Sequence, residues 1–148
     1  MVQLNKDILH KVITKRPENS HKGTFGRVVL IGGNHQYGGA IIMSAEACIK
    51  SGAGLTTVVT AEKNHTALHT RLPEAMVLDF NETKTLYQVL EKADVILIGP
   101  GLGLAKEMAM LLKEVLTNQQ AEQWLVIDGS AITLFKDCLL YTSDAADE

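Results

Sequence analysis

Two glycine turns and one acid follow apolar segments of the sequence, and together they have the chemistry of a ligand site. The six candidate residues are Gly38, Gly39, Ala40, Gly101, Gly103 and Asp128. Glycine allows the backbone to pass close to a ligand, and the free N–H groups at the start of a helix attract anions. Because we expect helices to begin at Gly39-Ala40 and at Gly103-Leu104, the two turns predict a cradle for a phosphate-rich ligand.

Plainer explanations of the same residues stay open at this level. Glycines after strands often serve only tight turns, and Asp128 could simply cap the helix that follows it. The segment GPGLG, residues 99–103, lacks the third glycine of the dinucleotide fingerprint, and no Gly-x-x-x-x-Gly-Lys-Ser/Thr phosphate loop is present. Glu74 could be a turn acid, or an acid that binds a metal or a ligand.

Alternating strands and helices would position these residues. The predicted strands lie near 27–32, 55–60, 75–79, 94–98 and 124–128, and the predicted helices near 4–13, 40–51, 61–71, 82–92 and 104–116. This alternation predicts an α/β fold, a parallel sheet with helices on both faces. The carboxyl ends of parallel strands lie at one edge, where ligands of such sheets bind. We therefore expect the six candidates to gather at one edge of the sheet.

Composition excludes several classes of function. The 148 residues carry a net charge of −3, which gives no support to a general nucleic-acid role. Neither Cys48 nor Cys138 has a zinc-type spacing to any of the five histidines, so no metal ligand is assigned. We find no apolar run long enough for a membrane span and no secretory pattern near the N-terminus. The cytoplasm is the expected location.

Five segments in order carry a resemblance to a known family. They are SHKGTFGRVVLIGG, GGAIIMSAEACIKSGAGLTTVVT, LPEAMV, ADVILIGPGLG and VIDGSAITL. This ordered set resembles the NAD(P)H-hydrate dehydratase family of the ribokinase-like superfamily, over about residues 20–135. The fold it implies is a three-layer α/β/α ribokinase-like domain, of which the match covers about the first half.

The resemblance implies a repair reaction. Family members dehydrate hydrated NADH or NADPH back to the working cofactor, with cleavage of ADP or ATP and with Mg²⁺. Carried over by position, the six candidates would bind the hydrated dinucleotide, and the full-length protein would be a homo-oligomer. The rival interpretations are a small-molecule kinase of the superfamily, of the hydroxymethylpyrimidine or hydroxyethylthiazole type, and a binding module without catalytic activity.

Two family segments are not found in this sequence. One is a Thr-Pro-His segment of the substrate site, and the other is a glycine-rich Gly-Asp loop that holds nucleotide phosphate and supplies the catalytic base. We therefore assign no catalytic residue and expect these 148 residues alone to be inactive, with apolar surface uncovered on a sheet edge and on helix faces. The ending CLLYTSDAADE resembles translated sequencing-adapter sequence, so we expect a domain over 1–137 and an artefactual tail over 138–148.

Overall fold

The computed structural model describes residues 5–13 and 15–143. Its strands are β1 Arg27–Ile31, β2 Leu55–Val59, β3 Met76–Leu78, β4 Val95–Ile98 and β5 Trp124–Ile127. Its α-helices are α1 Asp7–Val12, α2 Gly38–Lys50, α3 His65–Arg71, α4 Thr83–Glu91, α5 Lys106–Asn118 and α6 Ser130–Ser143. Short 3₁₀ helices span Lys22–Phe25 and Glu62–Asn64.

The five strands form one parallel sheet in the order β3-β2-β1-β4-β5. All five predicted strands are therefore confirmed, as is their parallel pairing. The chain moves outward from β1 to β2 and β3, then returns to place β4 on the other side of β1. The carboxyl ends of β1 and β4 consequently flank the topological switch point of the sheet, where ligands of open α/β sheets bind.

Helices cover both faces of the sheet because side chains alternate along each strand. Leu30 of β1 packs in a buried cluster with Ile41 of α2 and Leu68 of α3. Its neighbours on β1, Val29 and Ile31, belong to the opposite cluster, which α4, α5 and α6 complete. The predicted three-layer α/β/α architecture is confirmed, and it anchors the strand ends that carry the candidate site.

The helix boundaries confirm one predicted stop and correct one predicted start. Helix α2 ends at Lys50, just before the predicted stop at Gly52. Gly52 has a φ of 98°, the left-handed conformation common just after helix ends. The predicted start of a helix at Gly103-Leu104 is wrong, because α5 begins at Lys106. Gly103 has a φ of 85°, which is incompatible with a helical residue, and its N–H donates to Ser130 Oγ at 3.1 Å instead.

The segment predicted to be a tail lies partly in α6. The backbone of this helix continues to Ser143, while residues 144–148 lie outside the described residues. The assignment of 138–148 as an artefactual tail stays a prediction.

Strand β5 leaves apolar side chains uncovered at the sheet edge. Trp124 is 76% exposed and Val126 is 48% exposed, whereas the buried side chains of the central strand β1 are at most 2% exposed. Ile132 of α6 and Met110 of α5 are also exposed. The predicted uncovered apolar surface on a sheet edge and on helix faces is confirmed. Among the described residues, none of the helices has the length and apolar character needed to cross a membrane.

The Glu46 carboxylate joins α2 to α3. Its Oε1 accepts a hydrogen bond from Lys50 Nζ at 2.6 Å, and its Oε2 accepts one from Arg71 Nε at 2.7 Å. These hydrogen bonds, that from Lys50 first, hold the pKa of Glu46 below its ordinary value. The ionised carboxylate therefore favours the folded chain.

We expect the contribution of Glu46 to be lost in acid. A pKa that is lower in the folded state stabilises the fold above the ordinary carboxyl value of about 4.3, and the contribution disappears as pH falls through the folded-state pKa. Thermal unfolding of the wild type and of Glu46→Gln should differ slightly at about pH 7, because exposed ion pairs contribute little, and the difference should vanish once the pH falls below the lowered folded-state pKa of Glu46. A difference that persists unchanged into stronger acid would contradict this.

Candidate ligand crevice at the switch point

The turns that follow β1 and β4 are hydrogen-bonded to each other. The N–H of Gly33 donates to the Pro100 carbonyl at 2.8 Å, and the N–H of Asn34 donates to the Gly101 carbonyl at 2.7 Å. Gly33 and Gly101 have φ values of 70° and 63°, a region that residues with a Cβ avoid. The two glycine turns thus form one joined wall at the switch point.

Three glycines of this wall are required by packing within the chain. A Cβ on Gly38 would lie 2.0 Å from Asn64 Oδ1, and one on Gly101 would lie 2.3 Å from the Tyr37 carbonyl oxygen. A Cβ on Gly103 would lie 2.5 Å from Asn34 Nδ2. The plainer explanation, that glycine serves a tight turn, therefore accounts for these three residues without a ligand.

Gly39 is different from the other eleven glycines of the chain. A Cβ at this position would meet no atom within 4 Å in the described part of the chain. Gly39 is the second residue of α2, and glycine inside a helix is less favourable than alanine by about 0.5–1 kcal/mol. Intramolecular packing does not explain this residue, whereas a ligand lying against the backbone would.

The start of α2 offers hydrogen-bond donors to this open space. Ala40 N–H donates to the Tyr37 carbonyl at 3.3 Å, but no described group accepts from the N–H of Gly38 or Gly39. Donors in the first turn of a helix have no partner within the helix. Together with the helix dipole they favour an anion at this position.

Asp128 lies at the same edge, directly after β5. Its N–H donates to the Ile98 carbonyl at 3.0 Å, and its own carbonyl accepts from Ala131 N–H at 3.1 Å at the start of α6. The carboxylate is exposed and has no hydrogen bond to a described residue. The helix cap at this position is thus the backbone carbonyl of Asp128, and the carboxylate is not used for capping.

The turn after β4 also connects to β5 and α6. A Cβ on Gly99 would lie 1.7 Å from the Asp128 carbonyl oxygen, and Gly103 N–H donates to Ser130 Oγ. The predicted gathering of the six candidates at one sheet edge is confirmed. Their role in binding a substrate stays a prediction.

Sequence analysis missed three polar side chains that build the crevice: Asn34, Thr60 and Asn64. Asn34 Oδ1 accepts hydrogen bonds from the N–H groups of Gln36 and Tyr37, both at 2.9 Å. An asparagine followed by a polar loop is typical of this turn, so that role was visible in the sequence. Asn64 gave no comparable signal, because its contacts come from residues about 30 positions away.

A cavity lies at the opposite edge of the sheet, at the amino ends of the strands. It measures about 540 Å³, and its lining includes Arg16, His21, Lys22, Phe25 and Glu74. Arg16 stacks on the Phe25 ring at 4.2 Å, and His21 takes part in a capping box. Glu74 precedes β3 and lines this cavity at the amino ends of the strands, away from the six candidates, and a role in binding a metal or a ligand stays a prediction. We assign the site to the crevice, because the open helix start and the free carboxylate lie there.

The described residues contain no group of three His, Cys, Asp or Glu side chains that could hold a metal ion. Cys48 is half-buried beside Thr56, and burial raises the pKa of its thiol. A thiol of this kind is a poor nucleophile. The groups that the described part of the crevice exposes are the backbone N–H donors of Gly38 and Gly39 and the carboxylate of Asp128.

Comparison with known proteins matches this chain to one family. A family model described as NAD(P)H-hydrate dehydratase matches residues 28–144. An ADP-dependent (S)-NAD(P)H-hydrate dehydratase of Enterococcus faecalis is 67% identical over 91% of this chain and 46% of its own length. The enzyme of the same name from Lactococcus lactis is 56% identical over 91% of this chain and 48% of its own length. The chain spans about half the length of the curated relatives it matches.

Solved structures show the same relationship. A ribokinase-like superfamily protein from Enterococcus faecalis matches with a TM-score of 0.88 and 66% identity, over 92% of this chain and 48% of that chain. An ADP/ATP-dependent NAD(P)H-hydrate dehydratase from Bacillus subtilis, co-crystallised with ATP/Mg²⁺, matches with a TM-score of 0.70 and 25% identity, over 86% and 45%. The fold, the family model and the sequence relatives agree, and the chain belongs to the NAD(P)H-hydrate dehydratase family.

Proposed function

We propose that this chain supplies the substrate-binding wall of an ADP-dependent NAD(P)H-hydrate dehydratase, a lyase that repairs hydrated NADH and NADPH. The observation that carries the proposal is Gly39, an exposed glycine in the first turn of α2 whose added Cβ would meet no described atom within 4 Å. A dinucleotide has phosphates that suit the free N–H groups there. The names of the bacterial relatives support ADP as the second substrate.

The charges at the edge suggest how the substrate lies. The start of α2 carries a partial positive charge, and Asp128 places an exposed acidic side chain at the same edge. Phosphate groups would avoid Asp128, whereas a ribose or ring hydroxyl could donate a hydrogen bond to it. We place the phosphates against Gly38, Gly39 and Ala40, and a hydroxyl against Asp128, with the Gly101–Gly103 turn as the second wall.

In the proposed reaction, ADP transfers its terminal phosphoryl group to the hydroxyl of the hydrated ring and leaves as AMP. Phosphate then leaves together with a proton from the neighbouring ring carbon, and the double bond of the dihydronicotinamide is restored. The part played by Gly38, Gly39, Ala40 and Asp128 is to bind and orient the dinucleotide, since orientation is a large share of catalysis in phosphoryl transfer.

No residue of the described part is assigned as a ligand of Mg²⁺, since it contains no group of three His, Cys, Asp or Glu side chains that could hold a metal ion. Mg²⁺ and the adenine nucleotide belong to this proposal through the relatives, one of which was crystallised with ATP/Mg²⁺. No step is assigned to the metal on this chain. A homo-oligomeric full-length protein in the cytoplasm completes the proposal. No structural observation favours the rival kinases or a non-catalytic module, and the relatives' names favour the dehydratase.

Turnover tests this proposal. The 148-residue chain should not convert hydrated NADH to NADH with ADP and Mg²⁺, because its sequence contains neither the Thr-Pro-His segment nor the Gly-Asp loop. A fused protein, in which residues 1–137 replace the matching half of the Enterococcus faecalis relative, should convert it. The increase in NADH absorbance is the measurement, and the unaltered relative is the control.

Two outcomes would contradict the proposal. One is a folded fused protein that leaves hydrated NADH unchanged while the relative is active. The other is phosphorylation of hydroxymethylpyrimidine or hydroxyethylthiazole by the fused protein without repair of the hydrate, which would establish the rival kinase.

A further inference from the structure

Asn64 binds the backbone carbonyl of Gly33, in the turn after β1 that forms part of the joined wall. It lies just before α3 and is 8% exposed. Its Nδ2 donates to the Gly33 carbonyl at 2.8 Å and to Thr60 Oγ1 at 2.9 Å. Thr60, which is fully buried, donates its own hydroxyl to the same Gly33 carbonyl at 2.8 Å. Buried amides are rarely placed among so many acceptors unless the arrangement is specific.

The backbone N–H groups of the same segment hold the turn after β4. Gly33 and Asn34 direct their N–H groups to the carbonyls of Pro100 and Gly101. Asn64 and Thr60 therefore hold this segment through the Gly33 carbonyl. The N–H groups of the segment in turn hold the turn after β4. Asn64 is thus linked to the Gly101–Gly103 turn indirectly, through Gly33 and Asn34.

Asn64 also sets the start of α2. Its Oδ1 lies so close to Gly38 that an added Cβ would be 2.0 Å away. The Asn64 amide cannot flip to move Oδ1 away from Gly38. After a flip, Oδ1 would face the Gly33 carbonyl and Thr60 Oγ1, which now accept hydrogen bonds from Nδ2. One buried side chain thus contacts the first residue of α2 and the segment that holds the opposing turn.

We infer that Asn64 is a positioning residue of the crevice, which fixes the start of α2 relative to the turn after β4. It acts through Gly33 and Gly38 and does not contact the ligand. The inference concerns the geometry of the crevice, and it rests on the proposed function only for the identity of the ligand.

Gln123 provides a matched control for a purely structural role. It is also 8% exposed, and its Nε2 donates to the Leu90 and Ala93 carbonyls at 2.7 and 2.9 Å. It lies at the amino end of β5, at the opposite edge of the sheet. Asn64→Asp and Gln123→Glu each replace a buried amide donor by an oxygen of similar size, so both variants should show comparable falls in unfolding midpoint.

Hydrogen exchange on the 148-residue chain separates the two roles. In Asn64→Asp, exchange at the Gly33 and Asn34 amides should accelerate roughly ten-fold relative to Val29 in β1, the scale of one lost hydrogen bond. In Gln123→Glu this ratio should not change. Equal ratios in both variants, or an unchanged ratio in Asn64→Asp, would overturn the inference. If Asn64→Asp does not fold, Thr60→Val removes one donor to the same carbonyl and carries the comparison.

The fused protein adds a functional measurement. Asn64→Asp should raise KM for hydrated NADH several-fold more than Gln123→Glu does, because misplaced walls weaken binding. An equal effect of the two variants on KM would also overturn the inference. Failure of the unaltered fused protein to repair the hydrate would remove the proposed function instead, and the exchange ratio would still decide the role of Asn64.

Discussion

Gly39→Leu in the fused protein should lose about 10-fold to 100-fold in affinity for hydrated NADPH, since overfilling a packed site costs about 1–3 kcal/mol and each 1.4 kcal/mol is a factor of ten. The unfolding midpoint should not fall. An added Cβ at this position meets no described atom within 4 Å, and leucine favours a helix over glycine. Calorimetric titration and thermal unfolding measure the two quantities.

A leucine elsewhere on the same helix serves as the control. Met43 is 67% exposed on α2, so Met43→Leu should leave both affinity and unfolding midpoint unchanged. If Gly39→Leu binds as tightly as the wild type, the ligand does not lie against the start of α2. If Gly39→Leu is instead strongly destabilised, packing explains the glycine after all.

Gly99→Ala should destabilise the chain by about 4 kcal/mol or more, which is exceptional for a single substitution. The added Cβ would lie 1.7 Å from the Asp128 carbonyl oxygen, and backbone in a sheet cannot move away as a flexible side chain can. The φ of 132° adds strain of its own. For a protein of this size we expect the unfolding midpoint to fall by about 8–16 °C.

Gly39→Ala is the matched control, because it makes the same chemical change where there is open space. Its midpoint should stay the same or rise slightly. A Gly99→Ala variant that unfolds with the wild type would show that the ends of β4 and β5 are not as close as described, and the position of Asp128 beside the crevice would be lost with it.

The sheet was predictable from short segments because each strand is a run of apolar or β-branched residues between turns. The segments 28–31 and 95–98 are buried or half-buried on both faces and form continuous apolar runs, as is typical of central parallel strands. Handedness of the crossovers then placed all carboxyl ends at one edge. The start of α5 was not predictable, because it depends on the φ of Gly103 and on a hydrogen bond to Ser130, 27 residues away.

The sequence predicted the edge of the sheet at which the six candidates lie. It did not predict which of their glycines pack within the chain and which face open space. Gly38 and Gly39 are adjacent and look equivalent in the sequence, yet one packs on Asn64 and the other faces open space. The contact of Gly38 depends on Asn64, which lies just before α3, and the sequence predicts α3 only as a weak helix. Asn64 was missed for the same reason, since a buried amide is recognised by its partners and not by its neighbours in sequence.

Hydrogen exchange of the fused protein with and without hydrated NADPH tests the central claim most directly. Binding in the crevice should slow exchange at the amides of residues 38–40 and 101–103 and leave the segment 16–25, which lines the cavity at the opposite edge, unchanged. Slowed exchange at 16–25 with no change at 38–40 and 101–103 would place the ligand at the wrong edge. Either that result or no protection anywhere in residues 1–137 would contradict the account.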